Sequence, residues 1–192
     1  EKTLGEEHAE TAGALIALAA ILSDLQRQSE AAPLELRAIA IRERTLGTGH
    51  PDTAQAYFNL AGSYQVLGRF DDSATAHKHA LAIRERLSPP NSAAVVESVA
   101  GLAWLYLSTG HSADAVPLYE RAVSTIEKTR GANVPFLSTP LNNLASAYEN
   151  TGRVADAERA YMRAIAIEEA FHGPNAPSLA TVLNNLAVLQ KK

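Results

Sequence analysis

Along the chain, apolar residues return at helical spacing, and the whole pattern then returns at a fixed interval. Tyr57, Leu60, Ala61 and Tyr64 stand at i, i+3, i+4 and i+7, which predicts an amphipathic helix, here termed helix A. After a turn carrying Gly68, Gly110 or Gly152 a second stripe follows, for example Ala157, Tyr161, Ala164, Ile165 and Glu168, marking a helix B. Leu18, Leu60, Leu102, Leu144 and Leu186 form one column with a step of 42 residues, and Ala19, Ala61, Ala103, Ala145 and Ala187 the next. A period of this size predicts an all-α solenoid of helix pairs rather than independently arranged helices. Four pairs are expected over about residues 9–50, 51–92, 93–134 and 135–176, with a fifth helix A at 177–192, as one array across the chain.

The punctuation repeats with the helices. Gly5, Gly47, Gly131 and Gly173 follow helix B, and Pro51, Pro135 and Pro177 stand near the start of the next helix A. Pro33 and Pro117 share a column and are expected near the first turn of helix B, where a missing N–H costs little. Small residues (Ala31, Ser73, Ala115, Ala157, and Ala38, Ala80, Ala122, Ala164) face larger ones such as Tyr64, Tyr106, Tyr148, Tyr119 and Tyr161. That alternation lets paired helices approach closely and still fill their interface. EKTLGEEHAETA at 1–12 matches ERTLGTGHPDTA at 43–54, and the final repeat is incomplete, so the chain reads as a fragment of a longer protein.

The columns in NLASAYENTGRVADAERAYMRA carry a resemblance to the tetratricopeptide repeat. The 42-residue period and linkers such as LGTGHPDTA and HGPNAPSLA are similar to kinesin light chain repeats and their bacterial relatives. The resemblance covers essentially the whole chain and implies a right-handed superhelix whose A helices line a concave channel. The alanine-rich composition points to a bacterial member. Repeat 1 departs from the pattern: Gln26 replaces the turn glycine, and Glu35 stands where an aromatic residue is usual, as does His77 in repeat 2.

The resemblance implies a function in protein–protein interaction, with an extended or short helical peptide in the channel. Residues projected onto that surface are Phe58, Asn59 and Gln65, then Trp104, then Asn142, Asn143, Ser146 and Asn150, then Asn184 and Asn185. Asparagine is a mediocre helix former, so its recurrence in LNNLASAY and LNNLA needs a reason. A carboxamide presents a donor and an acceptor side by side and can pair with peptide backbone. Helices pack about 10 Å apart and an extended peptide advances about 3.3 Å per residue, so one asparagine per repeat meets about every third residue. The competing reading has the asparagines bonding adjacent helices to each other. Trp104 offers a flat apolar surface where Gly101 breaks the ladder. The projected channel lacks Lys and Arg, which argues against a carboxylate clamp and against tryptophan-acidic cargo peptides.

Composition narrows the alternatives. With 17 basic and 21 acidic residues interleaved, the chain has no basic stripe for nucleic acid, and no apolar run is long enough for a membrane span. The absence of cysteine excludes disulfides, thiolate metal sites and a cysteine nucleophile. His77 and His79 point to different helix faces, while His8 and His50 are linker residues without a carboxylate cluster, so no metal site is expected. No phosphate-cradling loop or nucleophile elbow occurs, and the expectation is a non-enzymatic, cofactor-free, cytoplasmic scaffold. Two alternatives remain: self-association through apolar solenoid ends, including Leu183, Leu186 and Leu189, and a regulatory repeat domain of a larger bacterial signalling or effector enzyme.

Overall fold

The helical periodicity is realised throughout. The computed structural model describes residues 8–89 and 91–191. Its elements are α1 (Ala9–Asp24), α2 (Gln28–Thr45), α3 (Pro51–Val66), α4 (Phe70–Leu87), α5 (Ala93–Ser108), α6 (Ser112–Arg130), α7 (Ser138–Asn150), α8 (Val154–His172) and α9 (Pro177–Leu189), with a 3-10 turn over Pro135–Leu137. Among the described residues there is no strand. The chain divides into two compact units, Glu1–Ser98 and Val99–Lys192, with the boundary inside α5.

In the first unit α1 packs on α2, α2 on α3 and α3 on α4. The predicted small columns sit at those crossings: Ala31, Ala38, Ser73 and Ala80 are fully buried. Ser73 can be there because its hydroxyl donates to the carbonyl of Ala61 at 2.8 Å, leaving no unpaired polar group. Leu60 and Tyr64 of α3 pack with Ala32 and Ile39 of the preceding α2, so the leucine column is covered by the helix B before it. Leu18 has no such cover among the described residues and stays 46% exposed, unlike Leu60 at 2%.

In the second unit α6 packs on α7, α7 on α8 and α8 on α9. Ala115, Ala122, Ala157 and Ala164 occupy the small positions, with Tyr119 and Tyr161 buried beside them. Burial of each leucine in the column, Leu102 and Leu144 here, contributes about 2 kcal/mol. Leu183 is half exposed on α9, whereas Leu189, expected on an open apolar face, is buried.

The turns show how far the repeat overrides its residues. Gly68, Gly110 and Gly152 adopt positive φ, as do Gly47, Gly131 and Gly173 after helix B, while Gly5 lies outside the described residues. Gln26 takes φ +60° in the same turn, a left-handed conformation that its side chain disfavours. Pro33 and Pro117 require a correction. Because α2 begins at Gln28 and α6 at Ser112, both prolines fall in the second helical turn, inside the helix. Each removes a bond to a carbonyl four residues earlier, at Ser29 or Ala113, and both of those residues are exposed to water that can replace it.

The helix starts explain two more columns. His8 and His50 cap α1 and α3, their Nδ1 atoms accepting from the N–H of Glu10 at 3.3 Å and of Asp52 at 3.1 Å. At three helix B starts an arginine meets an acid three residues on: Arg27 with Glu30, Arg69 with Asp72 and Arg153 with Asp156, each at 2.7 Å. These solvent-facing pairs sit where the helix dipole favours an acid, and water screens them strongly.

Candidate functional site

Side chains projected onto the A-helix face divide between the two units. In the first unit Gln55 donates to Asn59 Oδ1 at 2.9 Å, one turn on along α3. The other end of the Gln55 carboxamide accepts from Arg84 at 2.7 Å. Arg84, only 6% exposed, also donates to the Ala94 carbonyl at 3.0 Å, the Glu97 carboxylate at 2.9 Å and the Ser98 hydroxyl at 2.8 Å. Its guanidinium lies 4.9 Å from the centre of the Phe58 ring, which meets His77 edge-on at 5.4 Å. A buried cation is tolerable when paired and hydrogen-bonded on all sides, and the planar guanidinium fork suits that role.

The projected surface carried no cation, and the structure adds a buried one behind it. Arg84 belongs to helix B and reaches up beneath Gln55 and Phe58, so a projection of helix A residues alone could not include it. A signal was present in the sequence: the column Arg42, Arg84, Ile126, Glu168 holds an apolar residue in one repeat, as a buried position would. His77 is likewise buried, and burial first, then the nearby Arg84 charge, brings its pKa down to about 4. It is a neutral core residue at pH 7.

Asn59 and Gln65 also line a hollow between α1, α2 and α3, about 470 Å³ in volume, together with Asp24, Gln28, Glu35 and Ser63. Glu35 is 3% exposed. Burial pushes its carboxyl above the usual range, opposed by a hydrogen bond from Ser63. Its Oε2 has no hydrogen-bond partner, nor has the Gln65 Nε2.

In the second unit the asparagines form a connected strip. Asn142 donates to Asn143 Oδ1 at 3.3 Å and accepts from Asn185 of α9 at 3.0 Å. Asn143 lies beside the buried Tyr119 hydroxyl without reaching hydrogen-bond geometry, and burial pushes that phenol up to about 12. Asn150 donates to Ser112 Oγ at 3.1 Å. Ser146 lies beside Tyr161, whose hydroxyl donates to Glu149 at 3.3 Å. Asn184 and Trp104 are exposed, the indole by 49%. The strip unites Asn142, Asn143 and Asn185, and the hollow unites Asn59 with Gln65. Phe58 belongs to the Arg84 cluster instead.

The same column that supplies Arg84 supplies Glu168 here. Burial raises the Glu168 carboxyl, but hydrogen bonds from Ser138, Ser178 and His172 outweigh it and hold the group below its ordinary value. Ser178 donates at 2.5 Å and His172 lies at 2.9 Å. Among the described residues no group of three or more His, Asp or Glu could hold a metal ion, and no helix is long and apolar enough to cross a membrane.

Tetratricopeptide repeat models match residues 11–52, 36–86, 52–128 and 136–192. No curated protein sequence matches. Among solved structures, the Podosopora anserina putative kinesin light chain nearly identical TPR-like repeats are similar at TM-score 0.83 and 24% identity, over 96% of this chain and 87% of that one. BtubC (BKLC) from P. vanneervenii is similar at TM-score 0.68 and 21% identity, over 97% and 83% of the two chains. Aspartyl phosphate phosphatase F from Bacillus subtilis matches at TM-score 0.75 and 14% identity, over 95% of this chain but 45% of its own length. At these identities the likeness is one of fold.

Proposed function

From the premise that this chain belongs to the tetratricopeptide repeat family, we propose that its A-helix face binds an extended peptide through side-chain carboxamides. The family fold serves protein–protein interaction and scaffolding. The finer reading rests on the strip formed by Asn142, Asn143 and Asn185, whose side chains are only partly buried. A carboxamide has two donor hydrogens and two acceptor lone pairs. Each member of the strip spends only part of that capacity on its neighbours, which orient the remainder. Pre-oriented polar groups lower the ordering cost of binding. The half-exposed Trp104 would take an apolar side chain of the same ligand class.

One observation favours a second reading. The Asn185–Asn142 bond joins α9 to α7, so the asparagines also act as ties between repeats. The two roles separate under selection from a proteome-derived peptide display. The expected result is enrichment by the wild type that is lost in Asn143→Ala/Asn185→Ala, with circular dichroism unchanged. Enrichment indifferent to those substitutions, or none, would leave the asparagines as ties and overturn the peptide reading. Assembly between copies is favoured by the half-exposed Leu183 and Val188 of α9, and light scattering across a concentration series reads it directly.

A further inference from the structure

The hollow between α1, α2 and α3 contains an unmet demand for charge. Glu35 is only 3% exposed, Ser63 lines the hollow beside it, and its Oε2 meets no partner. An unpaired carboxylate oxygen in such a site is costly unless something donates to it. Around it stand Asp24 at the rim and the polar side chains of Gln28, Asn59 and Gln65, and among the described residues lining the hollow none is basic. The Gln65 carboxamide is also short of a partner and can turn either its donor or its acceptor to a guest. These residues belong to two successive repeats, with Asn59 on the face already assigned to peptide.

We propose that this hollow is an ammonium pocket, and that it takes the side chain of a lysine from a peptide lying across α1 and α3. The proposal rests on the peptide reading of that face. Lysine fits better than arginine. An ammonium can give one hydrogen to Glu35 Oε2 and others to the carboxamide oxygens of Gln65 and Asn59, a three-way match that its tetrahedral donors suit better than a planar guanidinium fork. The hollow, at about 470 Å³, has room for the butyl stem. A cation in the hollow would oppose the upward push that burial gives the Glu35 carboxyl. The site belongs to this unit by its chemistry: at the corresponding positions of repeats 3 and 4 Tyr119 and Ala147 replace Glu35 and Ser63.

The probe is n-butylammonium, with n-butanol as its uncharged counterpart, read by the side-chain amide signals of Asn59 and Gln65 in a nitrogen–proton correlation spectrum. The expected result is a saturable shift with the ammonium only, absent at Asn143. Its apparent Kd should rise about tenfold or more in Glu35→Gln, which keeps shape and removes charge, and less in Asp24→Asn. No shift, an equal shift with n-butanol, or an unchanged Kd in Glu35→Gln would overturn the pocket. A peptide library with one fixed lysine, arginine or norleucine supplies the second arm. Asparagine-dependent binding with no lysine preference would overturn the pocket and leave the peptide reading standing. Butylammonium binding without any peptide selection would support the ammonium site and overturn the peptide reading.

Discussion

Two equivalent positions, Arg84 in the first unit and Glu168 in the second, do the same mechanical work with opposite charge. Both are buried near the end of a helix B, and both reach ahead to the start of the next helix A. Arg84 takes the Ala94 carbonyl, Glu97 and Ser98, and Glu168 takes Ser178. The repeat therefore fixes a place for a polar clasp but not its sign. Each sign recruits complementary partners locally: an acid and carbonyls around the guanidinium, hydroxyls and an imidazole around the carboxylate. The units differ further in the column Glu35, His77, Tyr119, Tyr161, which holds a carboxyl and an imidazole in the first unit and phenols in the second.

The largest effect should come from testing whether the units hold together independently. Leu60→Asp and Leu144→Asp bury a carboxylate at equivalent positions and should each cost about 4 kcal/mol or more. In a repeat array, stability is a sum of repeat and neighbour terms. Hydrogen exchange should therefore accelerate in the unit that carries the substitution and spare helices remote from it. Uniform acceleration across all the helices would show one cooperative body instead.

The clasps come next. Arg84→Met removes four side-chain donations at once and strands Gln55, Ser98 and the Ala94 carbonyl, and it should lower stability by about 3 kcal/mol in chemical denaturation. Glu168→Gln keeps the shape and one acceptor and should cost about 1 kcal/mol. Equal losses would mean that the four donations and charge of Arg84 together contribute no more than the charge of Glu168.

The buried column predicts opposite responses to acid. His77 has a folded-state pKa of about 4 against an ordinary 6.5, so between those values the unfolded chain binds the extra proton. Stability from this group is full above pH 6.5 and is lost as pH falls toward 4, roughly 2 kcal/mol of it by pH 5. Glu35 acts in the other direction: its pKa is raised, so its burial costs most above the folded value and is relieved as the carboxyl protonates. Wild type and His77→Tyr should diverge as melting is followed from pH 7 to pH 5, with the variant flatter. Parallel curves would remove His77 from the account.

Much of this architecture was legible because a solenoid writes the same instruction several times. The 42-residue step announced an all-helical solenoid, its glycine turns and its buried alanines without any single segment having to be decisive. What the columns could not supply was reach. Arg84 enters the A-helix face from helix B, and its bonds to Gln55 and Ser98 span 29 and 14 residues, which no within-helix projection includes. The prolines were placed too early because helix B starts with Gln28 and Ser112, ordinary residues with no proline or side-chain cap to announce them. The asparagine columns were visible, but their sequence spacing fits a peptide ladder and a tie between helices equally well. Only the side-chain geometry reveals that the Asn185–Asn142 tie exists, and it leaves capacity for a ligand.

The smallest effect isolates the backbone from everything else. Gln26 and Gly152 occupy the same turn in the first and last complete repeats, at φ +60° and +77°. A Cβ added at Gly152 would meet nothing within 4 Å, so a substitution there tests conformational strain without a clash. A left-handed L-residue costs about 1–2 kcal/mol, partly offset by the greater entropy that glycine loses on folding. Gln26→Gly should therefore stabilise the first unit by about 0.5–1 kcal/mol, and Gly152→Ala should destabilise the second by a similar amount. The paired measurement, denaturant midpoints at constant slope, is sensitive to sign even where the magnitude is small. If Gln26→Gly were neutral or destabilising, the glutamine side chain would be contributing at least as much as the strain it imposes. Repeat 1 would then depart from the glycine column because it gains from glutamine, rather than tolerating it.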